Sequence, residues 1–436
     1  MSALPPPLIG ALGMAALLVL IGLRMPIGIA MAVVGILGGL AVNGWDATAF
    51  VLGSQPFSTV FPYSLSVIPL FILMGVFAAH AGLSRSLYEA IYALIGHVRG
   101  GLALATIGAC ALFGSICGSS LATAATMARV AVPEMRRHGY DDRLSAGALA
   151  AGGTLGIMIP PSIIMVIYAI LTEQSIGRMF LAGFVPGALA TACYMAAAWL
   201  VVRFRPEAGP AGVRADWRQR IATLRRVGPV LALFVVVMGG IYTGLFSPTE
   251  GAAVGSFGAF VLTLWARQLT WTVFLDSLRE TASTTAMIFL IFIGTSILQY
   301  FLETSGLPGL LRQAIAEAEL GPMQVLMIML LVYLVLGCFL DSLSMLLITL
   351  PLFFPIVKAM GIDPIWFGIL VVCVVEIGLI TPPVGMNLFV ITAVVPGLAL
   401  RTTIAGVSPF IAADVLRLAI LLAFPSLTLW LPSLLK

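Results

Sequence analysis

Residues 152–163 read GGTLGIMIPPSI, and residues 376–387 read EIGLITPPVGMN. Each tandem proline lies within a long apolar run, about 145–171 and about 365–396, of a length that crosses a bilayer. Two consecutive prolines remove two backbone donors and drive the residue before them out of helical geometry. Both crossings are therefore expected to unwind near mid-membrane and to free carbonyl oxygens there. Non-helical backbone at that depth persists only where protein buries it or where it lines a cavity. The chain reads as a polytopic membrane protein with a polar interior.

The two stretches belong to a longer repeat. Pro26 and Pro248 are 222 residues apart, as are Pro133 and Pro355, Gly156 and Gly378, and the pairs Pro160-Pro161 and Pro382-Pro383. Gly82-Leu83 answers Gly306-Leu307 at 224, and Ala182-Gly183-x-x-Pro186 answers Ala405-Gly406-x-x-Pro409 at 223. An ordered series drifting by so little marks two homologous halves, residues 1–200 and 228–436, joined by a linker at 201–227. In each half a Gly/Ser-rich segment precedes the proline pair by the same distance: Ser119 to Pro160 is 41 residues (160 − 119) and Asp341 to Pro382 is 41 (382 − 341). Gly and Ser weaken a helix interior. The segments around them, about 102–132 and about 322–355, are expected to be re-entrant hairpins rather than crossings.

Composition agrees. Of the 436 residues 61% are hydrophobic and only 9% charged, against about 25% charged in soluble domains. The net charge of +4 comes almost entirely from arginine, and the arginines cluster in loops, so no basic surface for nucleic acid is implied. The linker 203–226 holds seven Arg against one Glu and one Asp, which places it in the cytoplasm. Counting crossings outward gives about five per half, both termini in the periplasm, and a second half that is upside down relative to the first. Arg136, Arg137 and Arg143 follow Pro133, whereas only Lys358 follows Pro355, in keeping with opposite orientation. The expected fold is all-α, with two inverted-topology repeats, each of five crossings and one hairpin. The start MSALPPPLIG has no basic segment of a cleaved signal. The five cysteines lie in apolar runs with no C-x-x-C, a pattern of small packing residues.

The chemistry concentrates at the hairpin tips and proline breaks. An intramembrane carboxylate such as Asp341 is costly and marks a functional site by default; capping the second hairpin arm is its alternative role. Free carbonyls, hydroxyls and a carboxylate are the hard ligands that a small cation prefers, and half-helix N-termini suit an anion. Ser247-Pro248-Thr249-Glu250 reads instead as a structural capping box. No Gly is followed by Lys, so no P-loop exists, and neither H-E-x-x-H nor G-x-S-x-G occurs. An intramembrane enzyme or a channel would need a catalytic cluster or a continuous polar stripe, and the sequence offers neither.

The runs GSICGSSLATAATM (114–127), GGTLGIMIPPSI (152–163), GLFSPTEGAAVG (244–255), GCFLDSLSMLLITLP (337–351) and EIGLITPPVGMNLFV (376–390) resemble the large membrane subunit of tripartite ATP-independent periplasmic (TRAP) transporters. The resemblance implies an elevator-type transporter of the bacterial inner membrane, driven by Na⁺ and without a covalent cofactor. It also implies a small four-helix membrane subunit and a periplasmic substrate-binding protein as partners, with an organic anion such as a C4-dicarboxylate or a sialic or sugar acid as substrate. The family's hydroxylic tip falls on Gly118, Ser119 and Ser120, its Asp-Ser pair on Asp341 and Ser342, and its broken helices on the two Pro-Pro stretches. Taken with the residue chemistry, the candidate Na⁺ ligands are Gly118, Ser119, Thr154, Gly156 and Pro160 in the first half and Asp341, Gly378, Thr381 and Pro382 in the second. Candidate substrate contacts are Ser119, Ser120, Ser162, Ser342 and Asn387. A stand-alone Na⁺/dicarboxylate symporter of the same superfamily is the alternative; the SPTE and TPPVG-x-N-LF strings favour the TRAP reading.

The topology is open to direct measurement. In a chain stripped of its native cysteines, Ser2→Cys and Lys436→Cys should react with a membrane-impermeant thiol reagent added from outside, and Arg214→Cys should not. The reverse pattern would mean that one hairpin is a full crossing.

Overall fold

A computed structural model describes residues 4–434 of the chain, so the expected placement of the two terminal residues, Ser2 and Lys436, concerns positions outside the described residues. Apart from two short 3-10 turns, every regular element among the described residues is an α-helix. Eight helices among the described residues are long and apolar enough to cross a membrane. Seven of them lie on expected crossings: Ile27–Val60, Tyr63–His80, Asp142–Leu171, Ile176–Phe204, Trp217–Tyr242, Trp271–Ser305 and Leu400–Ala423. The eighth, Ser342–Ala359, lies in the segment expected to be the second hairpin. The three other expected crossings fall on Pro6–Gly22, Pro248–Trp265 and Pro364–Ile380.

Several helices overrun the sequence boundaries. Ile27–Val60 is kinked at Gly44, whose φ of 80° is non-helical, so that two helical stretches meet there. Trp217–Tyr242 begins inside the Arg-rich linker, where Asp216 and Gln219 form a capping box that starts the helix early. The segment 80–100 contains the amphipathic helix Leu83–Ile95, with Leu83, Leu87 and Tyr88 buried and Arg85 exposed. Its repeat counterpart, Leu307–Glu317, starts at Gly306 just as the first starts at Gly82, both glycines being left-handed. At Ser247 and Glu250 the reciprocal capping box is formed, with Glu250 Oε2 accepting from the Ser247 amide at 2.7 Å.

The hairpin and break geometries follow from local chemistry. Gly101–Cys117 ends at Gly118, whose φ of 64° costs a glycine little, and extended Ser119 caps Ser120–Arg137 by accepting from the Ala122 amide. Asp142–Met158 stops at extended Ile159 before Pro160-Pro161, and Ser162 caps the next helix, Ile163–Leu171. In the second half, Pro364–Ile380 stops before Pro382-Pro383, and left-handed Gly385 starts Met386–Val394.

The chain divides into two compact units. One takes the residues up to Ser66, Ala282–Val332 and Leu343–Pro364. Within it Gly28 and Gly35, seven residues apart on one helix face, meet the backbone of Ile291 and of Ile297 and Leu298, an approach that only a missing side chain permits. The other unit takes Val67–Thr281, Tyr333–Ser342 and the chain from Ile365. Here the Thr263 hydroxyl donates to the Phe77 carbonyl at 3.0 Å and that of Ser256 to Leu70, joining Pro248–Trp265 to Val67–His80. Gly147 and Gly406 press backbone against backbone where Asp142–Met158 crosses Leu400–Ala423. Arg136 closes the loop before that helix with a forked pair to Asp142, at 2.8 and 3.0 Å, and donates to the Pro396 carbonyl at 2.9 Å.

A side chain at the glycine crossing has nowhere to go, and overpacking of this kind costs about 1–3 kcal/mol or more. Gly147→Val is expected to lower the thermal unfolding temperature and the monodisperse yield in detergent. Gly53→Ala, at a helical site with open space around it, should leave both unchanged or slightly raised.

Candidate functional site

The first hairpin tip sits against the first broken crossing. A Cβ on Gly118 would lie 3.1 Å from the Pro161 carbonyl oxygen, and one on Gly156 would lie 3.0 Å from the Ser119 carbonyl oxygen and 2.9 Å from Thr123 Oγ1. Two glycines thus admit two carbonyls and a hydroxyl to one small region. Thr123 Oγ1 is buried and makes no hydrogen bond to an oxygen or nitrogen among the described residues. Its position one turn after Ser119 was a legible signal, yet sequence reasoning passed it over. Gly118, Ser119, Gly156 and the Pro160-Pro161 segment are therefore brought together.

The second break is built in parallel. Gly378 lies against Gly337, where a Cβ would be 2.7 Å from the Gly337 Cα, so the end of the first hairpin arm meets the crossing four residues before Asp341. Asp341 and Ser342 are partly buried at that tip. The Thr381 hydroxyl donates to the Ile377 carbonyl at 2.6 Å, and Ser162 does the same for Ile157, also at 2.6 Å. The Ser162 hydroxyl thereby satisfies a carbonyl whose helical donor would have been Pro161, whereas the Thr381 amide turns to Gly378 at 3.2 Å and its hydroxyl takes over at Ile377. Ser162 is fully buried in this role, and the second oxygen contact it makes is as the cap of its own helix.

Two candidate substrate residues from opposite halves meet directly. Asn387 Nδ2 donates to Ser120 Oγ at 2.8 Å and to the Ala150 carbonyl at 3.2 Å, and Ser120 Oγ lies 3.1 Å from Asn387 Oδ1. Ser120 is almost fully buried and Asn387 completely so. Thr154 faces elsewhere: its hydroxyl donates to the Ala151 carbonyl at 2.7 Å and lies 3.1 Å from the Tyr194 hydroxyl.

Tyr194 leads to a cluster that the sequence reading did not assign. Its hydroxyl is 2.8 Å from each carboxylate oxygen of Asp414. Arg417 contacts Asp414 at 2.9 Å and Glu376 at 2.7 Å. All four side chains are 0% exposed. The Arg417 contacts are ion pairs by distance, without the linear N–H···O alignment of directed hydrogen bonds. The available signal was Asp414-x-x-Arg417 within an apolar crossing, opposite charges one helical turn apart, together with a lone Glu in the apolar helix Pro364–Ile380.

Broken helices that converge on buried polar groups, in an all-helical chain with this many apolar spans, are an arrangement found in membrane transport proteins. The family model for the tripartite ATP-independent periplasmic transporter DctM component matches residues 14–427. The chain belongs to that family, whose members are transporter permeases and not enzymes. It is 39% identical over 383 residues to the C4-dicarboxylate TRAP transporter large permease protein DctM of Pseudomonas aeruginosa, covering 88% of this chain and 89% of that one. It is 33% identical to the sialic acid TRAP transporter large permease protein SiaM of Vibrio cholerae, covering 85% and 87%. With the ectoine/5-hydroxyectoine TRAP transporter large permease protein UehC of Ruegeria pomeroyi it shares 31% identity, covering 96% and 97%. The fold is similar to that of the Alcanivorax borkumensis YdaH transporter, with a TM-score of 0.67 at 15% identity over 96% of this chain and 97% of that one.

The Ser120–Asn387 pair generates a stability prediction. Asn387→Leu strands the Ser120 hydroxyl and removes a second bond to the Ala150 carbonyl, at about 1–3 kcal/mol for a buried unsatisfied group, and should lower the unfolding temperature in detergent. Ser120→Ala should be milder, because Asn387 keeps its bond to Ala150.

Proposed function

We propose that the chain is the large translocating subunit of a Na⁺-coupled TRAP system. It carries a small organic anion across the bacterial inner membrane, in concert with a small four-helix membrane subunit and a periplasmic substrate-binding protein. The observation that carries the reading is the convergence of the Ser119 and Pro161 carbonyls and the Thr123 hydroxyl around Gly118 and Gly156. Gly118, Ser119, Gly156 and Pro160 hold one Na⁺ in this reading, with Thr123 added and Thr154 bracing the helix from behind. Asp341, Gly378, Thr381 and Pro382 hold a second. The relatives' named substrates, a C4-dicarboxylate, sialic acid and ectoine, support an organic acid or a similar solute as cargo. Ser119, Ser120, Ser342 and Asn387 face it, while Ser162 maintains the break.

The two halves act as inverted repeats, with both termini periplasmic and the linker cytoplasmic. The hairpins and broken crossings move as an elevator against the first three crossings of each half. Because the proposed ligands lie wholly within hairpin-plus-break segments, a site need not come apart while it is carried. Each Na⁺ that enters with the membrane potential contributes about 2.3 kcal/mol per 100 mV, so a few ions suffice for concentrative uptake without ATP.

In proteoliposomes containing both membrane subunits, uptake should require an inward Na⁺ gradient and the liganded binding protein together. Asp341→Asn removes a charge at nearly constant volume and should raise the Na⁺ concentration for half-maximal uptake. An unchanged Na⁺ curve in correctly inserted Asp341→Asn protein would remove Asp341 from the site, and concentrative uptake by this chain alone would favour the stand-alone symporter.

A further inference from the structure

The offset between the halves relates the members of the buried cluster to one another. Thr154 plus 222 is Glu376, the same offset that relates Gly156 to Gly378 and Pro160 to Pro382. Tyr194 plus 223 is Arg417, the offset that relates Pro186 to Pro409. Both pairs are in contact: Thr154 Oγ1 is 3.1 Å from the Tyr194 hydroxyl, and Glu376 Oε2 is 2.7 Å from an Arg417 nitrogen. Each pair ties the helix that runs into a Pro-Pro break to the long crossing that follows it. The two pairs then meet, because Tyr194 donates to Asp414, Asp414 contacts Arg417, and the Arg417 guanidinium lies 5.9 Å from the centre of the Tyr194 ring.

The neutral pair shows that anchoring a broken helix needs no charge. The charged pair buries two carboxylates and a guanidinium, and buried ion pairs seldom add stability over a well-packed apolar replacement. A guanidinium held by ion pairs to carboxylates on two helices does restrict how those helices sit against each other. Glu376 lies five residues before Thr381 and Thr154 six before Pro160, about 8–9 Å along a stiff helix at 1.5 Å per residue. A shift of the cluster is transmitted to both breaks at once.

We propose that Glu376, Asp414, Arg417 and Tyr194 form a positioning clamp that locks the two Pro-Pro breaks in register with each other, so that the two cation sites fill as a coupled pair. The coupling half of this proposal rests on the Na⁺ reading above; the locking half does not.

Removing Arg417 alone strands two buried carboxylates and will not insert stably. The test is therefore the triple variant Glu376→Gln/Asp414→Asn/Arg417→Met, which discharges the cluster at similar volume, accompanied by Tyr194→Phe, which cuts the link between the pairs and changes no charge. Hydrogen–deuterium exchange of peptides spanning 154–166 and 376–390 is measured without transport, and the Na⁺ dependence of uptake is measured in proteoliposomes. A clamp predicts faster exchange in both peptides of the folded triple variant, a rise of about fivefold or more in the half-saturating Na⁺ concentration, at the low end of coupling between linked sites, and a Hill coefficient falling toward one. Tyr194→Phe should shift both readouts in the same direction by less. Folded variants with wild-type exchange and a wild-type Na⁺ curve would overturn the clamp and leave the cluster a purely structural one. If wild-type uptake shows no Na⁺ dependence, the Na⁺ reading fails and the exchange data alone decide the clamp: raised exchange in both peptides upholds it, and unchanged exchange overturns it.

Discussion

Hydrocarbon offers no hydrogen-bond partner, so every backbone group that leaves helical pairing inside a membrane must find one within the protein. That constraint governs each break in this chain. After Met158 Pro161 withdraws the donor that would have served Ile157, and the Ser162 hydroxyl reaches back to that carbonyl in its place; after Ile380 the Thr381 amide turns to Gly378 and the Thr381 hydroxyl serves Ile377. At the first hairpin tip the solution is different: glycine lets backbone approach backbone, as Gly118 does at Pro161 and Gly156 at Ser119. What is left after these repairs is the Thr123 hydroxyl, buried and without an oxygen or nitrogen partner among the described residues, beside these close backbone contacts.

A second constraint is the cost of charge away from water. The interior of the larger unit accepts one guanidinium and two carboxylates with no exposure to solvent, and it can do so because each faces an opposite charge within 3 Å. Tyr194 supplies the hydroxyl that a second Asp414 contact requires. The fork at Arg136 solves the same problem at the surface, where Asp142 and a backbone carbonyl share one side chain and hold the loop that opens the first broken crossing.

What the sequence disclosed was whatever depends on chain-local chemistry. Tandem prolines, left-handed glycines and capping hydroxyls act over a few residues, and they located both breaks, both hairpin tips and the capping box at Glu250. Boundaries were less legible where the start signal lies outside the apolar run: Trp217–Tyr242 begins within a charged linker because its cap lies there. Partnerships between distant residues were the least legible. Asn387 was singled out, but nothing in one dimension pairs it with Ser120, 267 positions away. Glu376, Asp414 and Arg417 were visible as intramembrane charges, and only the packing of three helices made them one cluster. Ser162 and Thr154 show the converse, since a hydroxyl in a promising motif can be committed to its own helix or to a neighbour.

The bond between Asn387 and Ser120 bears on how any cargo could be gripped there. Both groups are already satisfied, by each other and by Ala150. A molecule that engages either must first part them, so each new contact replaces one that is given up. The yield of such a trade is the difference between two similar hydrogen bonds, well below the few kcal/mol that a bond is worth in isolation. A grip built from substitutions is weak and quickly undone, which suits a protein whose rate of work depends on letting go.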